Sequence, residues 1–219
     1  MTKPTEMAGI VLPSDMHILL FEPYTAVYLG ISDILSSAGV KRNHILRVHT
    51  MAEIASALAR GVGGSILLLS GGHKNANLAE LLGFLSDERA GRDNSPVIIR
   101  MDNPNPLLMR LLTAFGADEV LPSDCSGAML LHYLRMVSGP AYTRDGESRF
   151  TPRERLIVRH ILSGDSLGFI AGLLALDIRQ VSEYKQRAVV KLRMDQPHEL
   201  RLLARLLARF GHLNEVRQP

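Results

Sequence analysis

The sequence predicts a parallel α/β domain of the doubly wound kind, followed by a smaller all-helical domain. Three observations point there. Five short aliphatic runs alternate with five amphipathic stretches over about 120 residues. The segment "GPAYTRDGESR" (139–149), rich in Gly, Pro and charge and without apolar periodicity, then interrupts the pattern and reads as an interdomain linker. Charge also changes there. Residues 1–149 carry 13 Lys and Arg against 15 Asp and Glu, a net of −2, while residues 150–219 carry 12 against 7, a net of +5. Only the second part is expected to meet a polyanion.

Residues 1–15 read as a flexible leader without the apolar stretch of a signal peptide. "HILLF" (17–21) reads as a buried strand. In "TAVYLGISDILSSAG", Val27, Ile31, Ile34 and Leu35 keep the 3-and-4 spacing of a helix face, and Gly39 stands where a helix stop belongs. "ILRVHT" is a second strand. "MAEIASALARG" is a second helix with Thr50 as N-cap. "SILLLS" and "NLAELLGFLSDERA", "SPVIIRM" and "NPLLMRLLTAFGA", then "DEVLP" and "CSGAMLLHYLRMVSG" complete five strand–helix units. Near-continuous aliphatic strands joined by amphipathic helices imply a parallel sheet covered on both faces. Right-handed crossovers leave few topologies, and a flavodoxin-like (βα)5 sheet over residues 16–138 is the natural one.

Residues 150–219 read as four helices. "TPRERLIVRHILSG" opens with Thr151 as N-cap, Pro152 at the first helical position and Glu154 at N3, a capping box with the favoured proline. Leu156, Ile157, His160 and Ile161 are its expected inner face, and Gly164 its stop. "SLGFIAGLLAL" is a short helix, and a third begins at the N-cap Asp177. "PHELRLLARLLARFG" is a last helix with a leucine stripe.

The chain is 46% hydrophobic, enough for one good core or two modest ones. Its single cysteine, Cys125, excludes a disulfide framework and a Cys-rich metal site, and fits a reducing cytoplasm. No apolar run approaches 18 residues, so no membrane span is expected. His17, His44, His49 and His73 show no metal-ligand spacing, and no nucleophile–base pair or phosphate loop is visible. Neither an enzyme nor a cofactor is expected.

Two short helices joined by the tight turn "ALD", the second one basic, form a helix-turn-helix arrangement. On a helical wheel Val181, Ala188, Val189 and Leu192 face inward. Arg179, Ser182, Glu183 and Gln186 make an outer stripe. These groups suit base edges: Arg pairs with guanine, Gln with adenine and Glu with the cytosine amino group. Lys185, Arg187 and Lys191 flank the stripe and suit phosphates. The bland alternative is a solvated basic helix in an ordinary bundle.

Residues 150–194 closely resemble the DNA-binding domain of NarL/LuxR/FixJ-type response regulators. Thr151, Pro152, Arg153, Glu154, Gly164, Ile170, Ala171, Leu174, Val181, Lys191 and Leu192 fall at that family's spacing without a gap. The resemblance implies a four-helix LuxR-type domain with its third helix in the major groove and dimerisation through the fourth. It implies Ser182, Glu183 and Gln186 near bases, with Gln180, Lys185 and Lys191 near the backbone. Asp177 stands for the family's usual Ser, Gln180 for Thr and Tyr184 for His.

With the α/β domain in front, nearly the whole chain resembles such a response regulator. The receiver of that family holds Mg²⁺ on two acidic residues after the first strand. It accepts phosphate on an Asp ending the third strand, and carries Thr or Ser after the fourth and Lys after the fifth. Here those positions read Glu22 alone, Ser70, Met101 and Pro122-Ser123. A serine hydroxyl does not replace a carboxylate in acyl-phosphate chemistry, and one carboxylate binds Mg²⁺ poorly. The resemblance therefore implies an atypical receiver in an orphan or auxiliary transcription regulator of bacteria. It would bind double-stranded DNA without aspartyl phosphorylation, as a homodimer or as a heterodimer with a related regulator. Two other readings stand beside this one. The strand-end pocket, expected to be roomy, would take a small molecule such as a pathway product or cyclic di-GMP, with Ser70-Gly71-Gly72 as an anion cradle. Or the protein would sequester another regulator.

Overall fold

A computed structural model describes residues 10–60, 66–71, 78–86, 95–102, 104–143, 146, 148–195, 200 and 203–204. Five parallel strands, β1 (Ile18–Phe21), β2 (Ile45–Val48), β3 (Ile66–Gly71), β4 (Val97–Met101) and β5 (Glu119–Pro122), pair in the order β2-β1-β3-β4-β5. This is the flavodoxin-like order expected from the sequence. The direction of winding reverses between β1 and β3, so a crevice opens beyond their carboxyl ends. Register places Phe21 beside Leu69, Ser70 beside Arg100, and Met101 between Gly71 and Pro122. Ser70 lies inside β3 rather than beyond it, because the strand continues to Gly71.

The helices are α1 (Thr25–Ser37), α2 (Met51–Ala59), α3 (Leu78–Ser86), α4 (Pro106–Phe115), α5 (Gly127–Ser138), α6 (Pro152–Leu162), α7 (Leu167–Leu174) and α8 (Ile178–Lys191). They divide between two compact units. The first holds the sheet with α1, α2 and α5; the second holds α3 and α4 together with α6, α7 and α8.

In the first unit, side chains two residues apart line one sheet face: Ile18 and Leu20 on β1, Ile66 and Leu68 on β3, with Ile98 and Leu121. They pack against Ile31 and Leu35 of α1 and against Leu130, Leu131, Leu134 and Val137 of α5. Val27, expected on the inner face of α1, is instead half exposed one turn before this contact. Ile10 and Leu12, read as part of a loose leader, pack with the core, while Val11 between them is exposed. Leu12 is buried and its N–H bonds the Ala38 carbonyl at 2.8 Å. Gly39 turns at φ +104°, and a Cβ there would meet the Leu12 carbonyl oxygen at 3.3 Å, so the helix stop doubles as a docking point. Tyr142, inside the expected linker, packs against the same core and donates its hydroxyl proton to Asp118 Oδ1 at 3.1 Å.

In the second unit, the carboxyl ends of α3 and α4 leave carbonyls that no intrahelical N–H can reach. Arg155 of α6 supplies them. Its Nη1 donates to Leu85 O at 3.2 Å and to Phe115 O at 3.4 Å, a cation at two negative helix ends. Phe150 N–H reaches Ala114 O at 2.8 Å while its ring meets Phe115 edge-on at 5.4 Å. These contacts explain why α3 and α4 group with α6. The buried face of α6 is Glu154, Ile157, Val158, Ile161 and Leu162, rotated from the expected one. His160, expected on that face, is only partly buried, and its Nδ1 lies 2.8 Å from Asp165 Oδ2. The leucine-striped last helix lies largely outside the described residues; Leu200, Leu203 and Ala204 are helical.

Candidate nucleic-acid interface

Helix α8 is fixed from both its end and its back. Asp177 Oδ1 accepts the Arg179 N–H at 2.8 Å, and Gln180 Oε1 accepts the Asp177 N–H at 3.0 Å, closing a capping box. Before it, Ala175 adopts a left-handed conformation at φ 51° and makes the sharp turn out of α7. Val181, Ala188, Val189 and Leu192 are buried, so the opposite side of the helix is set by packing. That side carries Arg179, Gln180, Ser182, Glu183, Gln186 and Arg187, all exposed. The four groups expected to reach bases therefore share one solvent-facing ridge. Arg187 stacks over the Tyr184 ring at 5.4 Å, which restrains its guanidinium beside that ridge. Lys185 is half buried and lines a depression with Ser166 and Leu167 at the start of α7.

Two residues expected to face phosphates are engaged elsewhere. Gln180 uses its side-chain oxygen in the cap. Lys191 Nζ donates to Glu154 Oε2 at 2.7 Å and to Arg149 O at 2.8 Å, joining the end of α8 to the start of α6. Glu154 is 2% exposed and also accepts the Thr151 N–H at 2.8 Å in its own capping box. Burial alone pushes the Glu154 carboxyl up; hydrogen bonds from Lys191 and Thr151 outweigh it and hold the group below its ordinary range. Lys191 is thus a counter-ion inside the helical unit.

The strand-end pocket brings Glu22, Ser70, Met101 and Ser123 to one edge of the sheet, with Glu22, Ser70 and Met101 buried. Glu22 accepts the Tyr24 N–H at 3.0 Å and the Ser70 hydroxyl proton. Arg100, in the middle of an otherwise aliphatic β4, extends into this pocket. Its Nη1 lies 3.9 Å from Glu22 Oε2, and its Nη2 donates to the Ser123 carbonyl. Ser123 Oγ donates in turn to Asp102 Oδ1. Arg100 escaped the sequence reading, although a charged residue inside "VIIRM" was a signal: such a side chain is almost never buried without a partner. From β2, Arg47 braces the loop after β1 through the carbonyls of Glu22 and Pro23 at 3.2 Å.

The Mg²⁺ implied by a receiver-like fold does not fit this donor set. The one carboxylate at the end of β1 already accepts two hydrogen bonds and lies against a guanidinium. No group of three His, Cys, Asp or Glu able to hold a metal occurs among the described residues. His17 and His44 stack on one another at 4.1 Å, His49 lies at the start of α2, and His73 is outside the described residues. Cys125 precedes the Ser126 N-cap of α5 and so lies outside the helix it was expected to begin. The Gly72 of the expected anion cradle is outside the described residues, as are residues 73–77. No helix among the described residues is long and apolar enough to cross a membrane.

No family model matches the chain, and no curated protein matches it. Among solved structures the chain is similar over most of its length to response regulators. The RcsB response regulator of Salmonella typhimurium is 18% identical, with 88% of this chain and 99% of that one covered at a TM-score of 0.44. A complex of the two-component response regulator RcsB with DNA is 15% identical, covering 87% and 97% at 0.45. Full-length FixJ from B. japonicum is 21% identical, covering 92% and 100% at 0.45.

Proposed function

We propose that this chain is a sequence-specific, DNA-binding transcription regulator that acts without aspartyl phosphorylation, as a homodimer or as a heterodimer with a related regulator. One observation carries the reading. Helix α8 is capped by Asp177, backed by Val181, Ala188, Val189 and Leu192, and presents Arg179, Ser182, Glu183 and Gln186 together on its open side. A ridge of hydrogen-bonding side chains held on a rigid helix, with cations beside it, is what entry into a major groove requires. Residues 150–219 act as the DNA-binding part, residues 16–138 as the receiver-like part, and 139–149 as the join between them. The receiver-like part serves in pairing rather than in phosphoryl transfer, since Ser70 offers no carboxylate and its hydroxyl is bound to Glu22.

Selection from a random-sequence duplex library, followed by gel retardation, tests this. The full chain should enrich a defined site. Arg179→Ala combined with Gln186→Ala should abolish the preference while retaining binding to unrelated duplex. Treatment with acetyl phosphate should leave the affinity unchanged. Absence of any retarded complex, alone or with a partner regulator, refutes DNA binding; incorporation of phosphate at the strand-end pocket refutes phosphorylation independence.

A further inference from the structure

A fully buried carboxylate is costly unless a cation and hydrogen bonds compensate it. Glu22 is such a group, at the carboxyl end of β1 and 0% exposed. The compensating cation does not come from solvent. Arg100 starts on β4, two strands away, and its side chain passes Ser70, its register neighbour on β3, to reach the carboxylate. Its side chain is itself 91% buried, being 9% exposed. The other end of the guanidinium holds the Ser123 carbonyl just past β5. One planar cation therefore connects three strand ends across the switch point of the sheet. A small residue at position 70 lets it pass, and the Ser70 hydroxyl donates to the same Glu22 oxygen that the guanidinium approaches.

We propose that Arg100 is the built-in cation of this pocket. It occupies the charge position that a divalent ion would need, and closes the site to Mg²⁺. The serine at position 70 and the arginine at position 100 then belong together: one removes a negative charge from the pocket, and the other supplies the positive charge that the remaining carboxylate requires. The inference concerns the same pocket as the proposed phosphorylation independence. It is tested without DNA and without a phosphate donor, so the failure of either leaves the other standing.

The experiment compares thermal unfolding of the full chain as wild type, Arg100→Met, Glu22→Gln and the Glu22→Gln/Arg100→Met double variant, each with and without millimolar MgCl2. The wild-type midpoint should not respond to Mg²⁺. Arg100→Met leaves Glu22 as an uncompensated buried charge and should lower the midpoint by roughly 10 °C. Mg²⁺ should restore little of that loss, because a single carboxylate holds the ion poorly. The double variant removes both charges and should recover wild-type stability with no Mg²⁺ response. Full recovery is expected because Arg100 Nε is buried without a hydrogen-bond partner among the described residues, so the native pair is itself imperfectly compensated. Two results overturn the proposal: a Mg²⁺-dependent rise in the wild-type midpoint that Glu22→Gln abolishes, or a double variant as unstable as Arg100→Met. If Arg100→Met does not fold, the double variant decides alone. A folded double variant supports the counter-ion role, and an unfolded one refutes it.

Discussion

Ala175 shows how one residue can hold a tight turn at an energetic cost. Its φ of 51° is left-handed, where a Cβ crowds the following carbonyl oxygen. The turn is nevertheless formed, because Leu176 N–H reaches Ala171 O at 2.9 Å and Asp177 must follow at once to cap α8. Ala175→Gly should raise stability by about 0.5–1 kcal/mol, read as a higher urea midpoint, and leave DNA affinity unchanged. A lower midpoint would show that the left-handed strain is absent. Ser70 is the opposite case, a polar residue whose value lies in its hydrogen bond. Ser70→Ala leaves an acceptor site on the buried Glu22 carboxylate unfilled and should cost about 1–3 kcal/mol. Were Ser70 an ordinary turn residue, the loss would be near zero.

Between elements, the tie of α6 to α8 through Glu154 and Lys191 makes a pH prediction. The folded Glu154 carboxyl lies below its ordinary value of 4.5, so its contribution is complete above that value and is lost as pH falls through the lower, folded value. Denaturant midpoints measured from neutral to acid pH should therefore fall at the acid end, and Glu154→Gln should flatten that limb. Lys191→Met leaves Glu154 buried without its cation and should destabilise the chain by about 3–5 kcal/mol. The same variant distinguishes this role from phosphate contact, which would weaken DNA binding without touching stability. Arg155 acts similarly at the ends of α3 and α4. Its removal should cost about 1–3 kcal/mol, since two helix-end carbonyls lose a charged donor.

Across the whole molecule, charge is concentrated where the proposed contact lies: a net of −2 over residues 1–149 against +5 over residues 150–219. Such an imbalance favours approach of a polyanion to the basic part. In the proposed complex, Lys185 and Arg187 on each of two copies would neutralise about four phosphates, and the slope of log affinity against log salt should be steeper than about −3. Lys185→Ala should make the slope shallower by about 1 per copy, with sequence preference intact. Fluorescence anisotropy with a labelled duplex over a salt series measures both. A flat salt response would remove the electrostatic basis of the proposal.

The order of strands and helices was legible in the sequence because each element carries its own period: aliphatic runs for strands, 3-and-4 spacing for helices, and caps at Thr50, Thr151 and Asp177 that mark where helices begin. The outer ridge of α8 was legible for the same reason, since the wheel of a single helix depends only on its own residues. The roles of Arg100, Arg155 and Lys191 were not. Each side chain takes its partner from residues far along the chain — Glu22, Leu85 and Phe115, and Glu154 in turn — and only sheet register and helix packing bring those groups within reach. Local sequence fixes what a residue can donate or accept. The tertiary fold decides whether a cation faces water, a helix end or a buried carboxylate, because that choice depends on which charges must be compensated once solvent has been excluded.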